Sequence, residues 1–436
     1  MDISKIILSD PANNWVFSRA KSGVFLTGGY IRDLLLGHIS RDKDYVLKNS
    51  VEKISRETAK KFKGTHVVLK SMRNYRVVIK KKPAAMGRGR VLSLNSTPSL
   101  REVLDFSLLN TSIHNDLKKR DFTVNAIAWS RETGIIDPLS GIKDLKNQVI
   151  KAVRIKNLTD DPLRIIRAYR IGAELGFRIE NNTKKNLKRL AKDISHVASE
   201  RITDELFKIL SNYNSIKYLL ECYKDKVLNN IIVPGKLKKD KILANNIKDY
   251  KKFDLFLKKQ LTGINKSLEG KKITSFLNKE ISQGLNRLGL IRLSFLLRNS
   301  IDPHNRLKIS NNIHRALKDI HNAYKEIVKT SPVNFKKNSQ EAVYKIFNKA
   351  RNRAFETSII LSFKKRKNIK WFFKKAEEFT KIKNKILLNG NDVQKILNIK
   401  PGAKIGKILS DLKHQQLKGS VKTKAEARRW LMSNYT

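Results

Sequence analysis

Two aspartates one residue apart, Asp42 and Asp44, close the stretch FLTGGYIRDLLLGHISRDKDYVL (residues 25–47). Residues two apart on a strand project from the same face, so the two carboxylates would stand side by side. Paired hard oxygen ligands suit Mg²⁺ bridging nucleotide phosphates. Two such ions can activate an attacking hydroxyl and stabilise a leaving pyrophosphate. A lone Asp-x-Asp triplet is more often a solvated turn, but Gly28 and Gly29 lie upstream where a strand ends and a helix begins. Backbone N–H groups exposed at such a helix start suit a triphosphate. The spacing is neither that of a Walker loop nor that of a dinucleotide fingerprint.

Three further segments carry candidate chemistry. In DLKKRDFTVNAIAW (residues 116–129), Arg120 and Asp121 precede an expected apolar helix interrupted by Thr123 and Asn125. Arg120 could hold phosphate and Asp121 a ribose hydroxyl; equally, Asp121 could be a helix cap. The turn-rich GIIDPLSGIKDLKNQVI, with Asp137, Gly141 and Asp144, reads as structural. In TDDPLRIIRAYR, Pro162 suits a helix's first turn and sets Asp161 and Arg164 three apart on one face. That pair could read the hydrogen-bonding edge of a nucleobase, or form an intrahelical ion pair.

The elements that must position these groups divide the chain in two. Up to about residue 150, short runs rich in β-branched residues (GVFLTGG, DYVL, THVVL, YRVVI, VLDFSLL, GIIDPL) read as strands. Helices are expected at Tyr30–Leu36 and near Val51–Phe62, giving a mixed α/β domain. Residues Lys80–Ser99 combine Pro, Gly, Ser and bases and read as a mobile basic loop. Beyond about residue 155, apolar residues recur at three- and four-residue steps, as in DPLRIIRAYRIGAELGF and ERITDELFKILSN, and the remainder reads as helical with lysine-rich breaks. No fixed-period repeat suggests a solenoid.

Composition narrows the partner. The 436 residues carry 92 Lys+Arg against 39 Asp+Glu, a formal net charge of +53, which favours a polyanion and above all nucleic acid. A single cysteine, Cys222, excludes an internal disulfide framework or a Cys-rich zinc site. No apolar run is long enough to span a bilayer, and the first residues form no signal-peptide core, so a cytoplasmic protein is expected.

Taken together, LTGGYIRDLLLG…RDKDYVL, KKRDFTVNAIA, DPLSGIKDL, DDPLRIIRAYRIGAELGF and ERITDELFKIL resemble, in order, the motifs of the class II tRNA nucleotidyltransferases and poly(A) polymerases. Residues Leu387–Leu431 resemble the tail of many CCA-adding enzymes. The resemblance implies a polymerase-β-like α+β head with a mixed sheet, followed by an all-α neck, body and tail. The expected division is head 1–150, neck 151–215, body 216–345 and tRNA-binding tail 346–436. It implies that Asp42 and Asp44 bind catalytic Mg²⁺, with Asp105 as candidate third carboxylate. Gly28, Gly29 and Arg32 would lie against the triphosphate, and Arg120 and Asp121 would hold phosphate and ribose. Asp161 and Arg164 would act as a protein template for CTP or ATP, with Arg167 also in the nucleotide site. The implied reaction is addition of CCA to the tRNA 3′ end; CC-only, A-only and poly(A) addition are the alternatives. Three positions depart from the family pattern: Lys43 stands where an apolar residue is usual, Lys119 replaces an arginine and Asp160 a glutamate. Lys43 is expected to point away from the metal side, solvated or touching RNA.

Overall fold

A computed structural model describes all residues except 1, 39, 41, 70–73, 81–100, 233–236, 265, 299–306, 331–338, 386 and 436. The expected basic loop therefore lies outside the described residues. The chain divides into two compact units, residues 1–237 with 305–308, and residues 238–304 with 309–436.

The first unit opens with a helical hairpin, α1 (Ile3–Ser9) and α2 (Pro11–Ala20). Asp10 starts α2 by accepting from the backbone N–H groups of Ala12 and Asn13, and Pro11 occupies the first helical position. Strand β1 (Val24–Thr27) is buried along its length, and Gly28 turns the chain into α3 (Gly29–Leu35). Then come β2 (Asp42–Leu47), α4 (Val51–Lys61), β3 (Thr65–Val68), β4 (Asn74–Lys80) and β5 (Arg101–Leu108). α5 (Ile113–Lys118), β6 (Ala128–Ser130), β7 (Gly134–Ile136) and α6 (Gly141–Lys146) complete the sheet layer. Among the described residues, these strands form one seven-stranded sheet in the order β3-β4-β5-β2-β1-β6-β7. Every pairing is antiparallel except β2 with β5.

All six expected strands are present. The apolar helix expected after Asp121 is not: Thr123–Asn125 is one 3₁₀ turn, and β6 follows it. Every residue from 121 to 130 is buried. A short, continuously apolar run has no periodicity that separates a buried strand from a helix, and here pairing with β1 and β7 decides.

The reverse face of β2 corrects the expectation for Lys43. It points away from Asp42 and Asp44, but into the interior, only 1% exposed. The α1–α2 hairpin supplies its counter-charge: Lys43 donates to Asp10 at 2.9 Å and to Glu102 of β5. Beside it, the Tyr45 hydroxyl donates to Asn13 at 2.5 Å, and Asn13 donates to the Tyr30 hydroxyl at 2.9 Å. The lysine is thus buried because it is paired.

Beyond the sheet the unit is helical: α7 (Ile155–Asp160), α8 (Leu163–Leu175), α9 (Asn181–Arg189), α10 (Ser199–Ser211), then Ser215–Lys224 and Val227–Ile232. One short parallel ladder, Val149–Ile150 with Arg178–Ile179, interrupts the expected all-helical run. The second unit is built from helices including Asn311–Lys329, Ala354–Lys365 and Ile369–Asn384, with one small hairpin at Glu280–Asn286. Buried charges in it are paired, such as Arg292 with Asp254 at 2.6 Å and Arg287 with Glu356 at 2.7 Å. Its last helices close over a core of Leu387, Val393, Ile408, Leu412 and Leu431. No helix among the described residues is long and apolar enough to cross a membrane.

Candidate active site

The strand period places Asp42 and Asp44 on the same face of β2, as expected. Parallel pairing sets Asp44 opposite Asp105, and antiparallel pairing sets it opposite Thr27. Asp42, although open to solvent at the strand's start, has its carboxyl raised by desolvation and then by Asp105. Burial raises the Asp44 carboxyl; Arg120 opposes this, while Asp105 and Asp42 add to it. Desolvated carboxylates crowded against one another in this way offer hard oxygen ligands that a divalent cation would suit. Asp105 is differently placed. Both of its oxygens accept from Arg76, at 2.7 and 2.8 Å. Among the described residues no three carboxylate, histidine or cysteine side chains are gathered as a metal site.

Gly28 forms the wall facing this pair. Its φ of +75° is a conformation L side chains rarely adopt, and a Cβ there would lie 2.9 Å from both Asp44 Oδ2 and Arg120 Nη1. Glycine therefore leaves open the space between the carboxylate and the guanidinium. At Gly29 a Cβ would meet only Arg32, at 3.7 Å. Arg120 is held by Thr27, whose Oγ1 accepts from Nη2 at 2.8 Å, and more loosely by Asp116. The Thr27 hydroxyl in turn donates to the Asp44 carbonyl at 3.2 Å, so one threonine links Arg120 to β2.

Other candidates are committed to protein partners. Arg32 is 4% exposed and donates to Asp33, to Asn125 at 2.8 Å and to Glu174 at 3.1 Å. Asp121 is buried and accepts from the Phe122 N–H, from Asn125 and, through Oδ2, from Arg167 at 2.7 and 3.0 Å. Neither the helix-cap nor the free ribose-acceptor reading of Asp121 describes it fully: it anchors α8 through Arg167. Asp137 and Gly141 behave as expected: the Asp137 carboxylate accepts from the Gly141 and Ile142 N–H groups, capping α6.

Burial would raise the Asp121 carboxyl, but the charge and hydrogen bonds of Arg167 outweigh it and hold it at about 2, against an ordinary 3.8. A lowered folded-state value stabilises the fold above the unfolded pKa and loses that stabilisation as pH falls through the folded one. The window here runs from about pH 4 down to pH 2 and is worth about 2 kcal/mol. Asp121→Asn is expected to cost about 2 kcal/mol at pH 7 by leaving Arg167 only its longer ion pair with Glu205, at 3.7 Å. The same variant should lose less stability than the native chain between pH 4 and pH 2, as measured by thermal melting at each pH. Parallel acid profiles would contradict the pairing.

At the start of α8, Asp161 stands just before the helix, with extended backbone, rather than within its first turn. Asp161 and Arg164 are side by side, 4.0 Å apart. Arg164 also donates to the Asn157 carbonyl at 3.2 Å, and Asp161 accepts from Arg201 of α10 at 3.1 Å. Both keep solvent-facing surface, so a carboxylate acceptor and a guanidinium donor are presented together. Thr27, Arg76, Glu174 and Glu205 were not singled out in the sequence. Their roles depend on strand pairing and on contacts many residues apart, and only Glu174, four after Arg170, lies at a spacing that could have flagged it.

A mixed sheet carrying paired carboxylates opposite a glycine turn defines a nucleotidyltransferase head. Residues 24–151 match the poly A polymerase head domain, and residues 176–235 match a probable RNA- and SrmB-binding site of polymerase A. A CC-adding tRNA nucleotidyltransferase of Geobacter sulfurreducens is 28% identical over 439 residues, covering 97% of this chain and 95% of that protein. A Synechocystis protein of the same name is 34% identical over 207 residues, 47% of this chain; the chain spans 45% of that relative's length. In fold, the chain is similar to the Thermotoga maritima CCA-adding enzyme complexed with tRNA, with a TM-score of 0.65 and 19% identity over 100% of this chain and 99% of that one. Residues 24–151 and 176–235 are thus similar to the head and RNA-binding domains of polymerase A, and the chain as a whole is similar to tRNA nucleotidyltransferases.

Proposed function

We propose that this protein adds CTP and ATP to the 3′ end of tRNA, building CCA without a nucleic-acid template. The observation that carries this reading is the pairing of Asp42 and Asp44 on one face of β2, across from the space Gly28 leaves open beside Arg120. Asp42 and Asp44 would hold Mg²⁺, which fits two carboxylates on one strand face, both raised by desolvation and by Asp105. When bound, the metal would supply electrostatic stabilisation of the phosphates and lower the cost of ionising the attacking hydroxyl.

The chain's own residues would do the rest. The Gly28–Gly29 turn would admit the triphosphate, and Arg120, steadied by Thr27, would bear on its phosphates. Asp161 and Arg164 would offer an acceptor and donors to the edge of the base. Arg32 and Asp121, with their polar atoms already engaged, would position these groups from behind. The RNA 3′-hydroxyl would attack the α-phosphate and expel pyrophosphate, with catalysis by positioning and electrostatics. The division into head 1–150, neck 151–215, body 216–345 and tail 346–436 accompanies this reading. The basic helices of body and tail would grip tRNA through phosphate and shape, in the cytoplasm.

The test offers purified protein tRNA ending at the discriminator base, at C or at CC, with CTP and ATP singly and together. Completion of CCA from the discriminator base supports the proposal; a long A tail on any RNA overturns it. One observation favours a second reading, CC addition alone: a relative aligned along 97% of this chain is a CC-adding tRNA nucleotidyltransferase. Extension that stops at CC with both nucleotides present would select it. Within either reading, Arg164→Ala is expected to reduce the CTP-over-UTP preference by about tenfold, the ~1–3 kcal/mol of a base-edge contact. The check is kcat/KM for each nucleotide; an unchanged preference would remove the template role.

A further inference from the structure

α8 carries Arg164, Arg167, Arg170 and Glu174 at steps of three, three and four, which puts them on one side of the helix. Behind Arg164, this side is tied into a closed ring of side chains. Arg32 donates to Asn125 at 2.8 Å, and Asn125 to Asp121 at 3.2 Å. Asp121 pairs with Arg167 at 2.7 Å, and Arg167 with Glu205 of α10 at 3.7 Å. Glu205 pairs with Arg170 at 3.0 Å, and Arg170 with Glu174 at 2.5 Å. Glu174 returns to Arg32 at 3.1 Å.

The ring touches both halves of the nucleotide site without entering it. Arg32 lies on α3, whose first residue follows Gly28 directly; Arg167 lies one turn beyond Arg164. Burial alone would raise Glu174, yet Arg170 and Arg32 hold it well below the usual carboxylate range, so the closing pair is charged. Reading a base edge requires donors held to about 0.5 Å, and a closed network resists rotation of α8 about its axis better than separate pairs.

We propose that Arg170 and Glu174 are positioning residues for nucleotide selection: they close the ring that fixes the azimuth of α8, and with it the Asp161–Arg164 edge, relative to the Gly28 turn. This rests on the proposed nucleotidyl-transfer reading. Neither residue touches the nucleotide in this account; both act through Arg32 and Arg167.

The test compares kcat and KM for CTP and for UTP, on tRNA ending at the discriminator base, in the native chain, Glu174→Gln and Arg170→Lys. Glu174→Gln keeps the shape and removes the charge; Arg170→Lys keeps the charge and removes the fork. Both should lower the CTP-over-UTP ratio of kcat/KM by about tenfold, about 1.4 kcal/mol. The ratio should fall through UTP gaining relative to CTP, with melting midpoints lowered by only a few degrees. A merely structural ring would lower stability, or slow both nucleotides equally, and leave the ratio within twofold; that result, or loss of folding in both variants, overturns the proposal. Failure of the underlying reading looks different: the native chain would itself add no CMP, or would show no preference for CTP, and the proposal would fall with it.

Discussion

Asp44→Ala is expected to lower kcat/KM for nucleotide addition by about 10³-fold or more while RNA affinity stays within about threefold. Asp44 is the most constrained member of the carboxylate pair. Its strand neighbours are Asp105 and Thr27, its carboxylate faces Arg120, and its Oδ2 borders the gap at Gly28. Removing it takes away half of the paired oxygen set in which metal and phosphates would meet. It also removes one of the carboxylates beside Arg120, which keeps its ion pair with Asp116 at 3.3 Å. RNA affinity, carried by lysines and arginines on phosphates, gains nothing from a carboxylate and should not fall. The check is single-nucleotide addition to truncated tRNA alongside filter binding of the same RNA. Turnover within tenfold of the native chain would contradict the assignment.

Gly28→Ala is the second large effect, and a more unusual one, because it changes no functional group. The backbone at φ +75° would carry a Cβ at a cost of about 1–3 kcal/mol. That Cβ would also push against Asp44 Oδ2 and Arg120 Nη1, both 2.9 Å away. The arginine tip can move, but moving it displaces the cation meant for the phosphates. A shift of about 1 Å at reacting groups costs on the order of 10²-fold, so a loss of that size in kcat/KM is expected with the fold retained. Gly29→Ala is the comparison: its Cβ would make ordinary contact with Arg32 at 3.7 Å, and the loss should be far smaller. Equal losses in the two variants would remove the steric argument.

The parts of the site legible in the sequence were those that local rules govern. Alternation placed Asp42 and Asp44 on one face, the glycines marked the turn into α3, and the three-residue step brought Arg164 beside Asp161. What stayed hidden depends on distant partners. Lys43 was legible as facing away from the metal side, but its burial follows from Asp10, 33 residues earlier, and Glu102, 59 later. Arg32 and Asp121 carry the residue types of a nucleotide site, yet Asn125, Glu174 and Arg167 engage their polar atoms. The segment after Asp121 was misread because a buried strand of three residues offers no period to detect.

Asp42 and Asp44 are proposed as the pair that holds the divalent ion. The most direct test of this assignment is Mn²⁺ binding followed by electron paramagnetic resonance, with a non-hydrolysable CTP analogue present, in the native chain and in Asp42→Asn/Asp44→Asn. The native chain should deplete the free Mn²⁺ signal at micromolar protein, and the double variant should leave it at the level of analogue alone with its melting midpoint preserved. Equal depletion by both would contradict the claim.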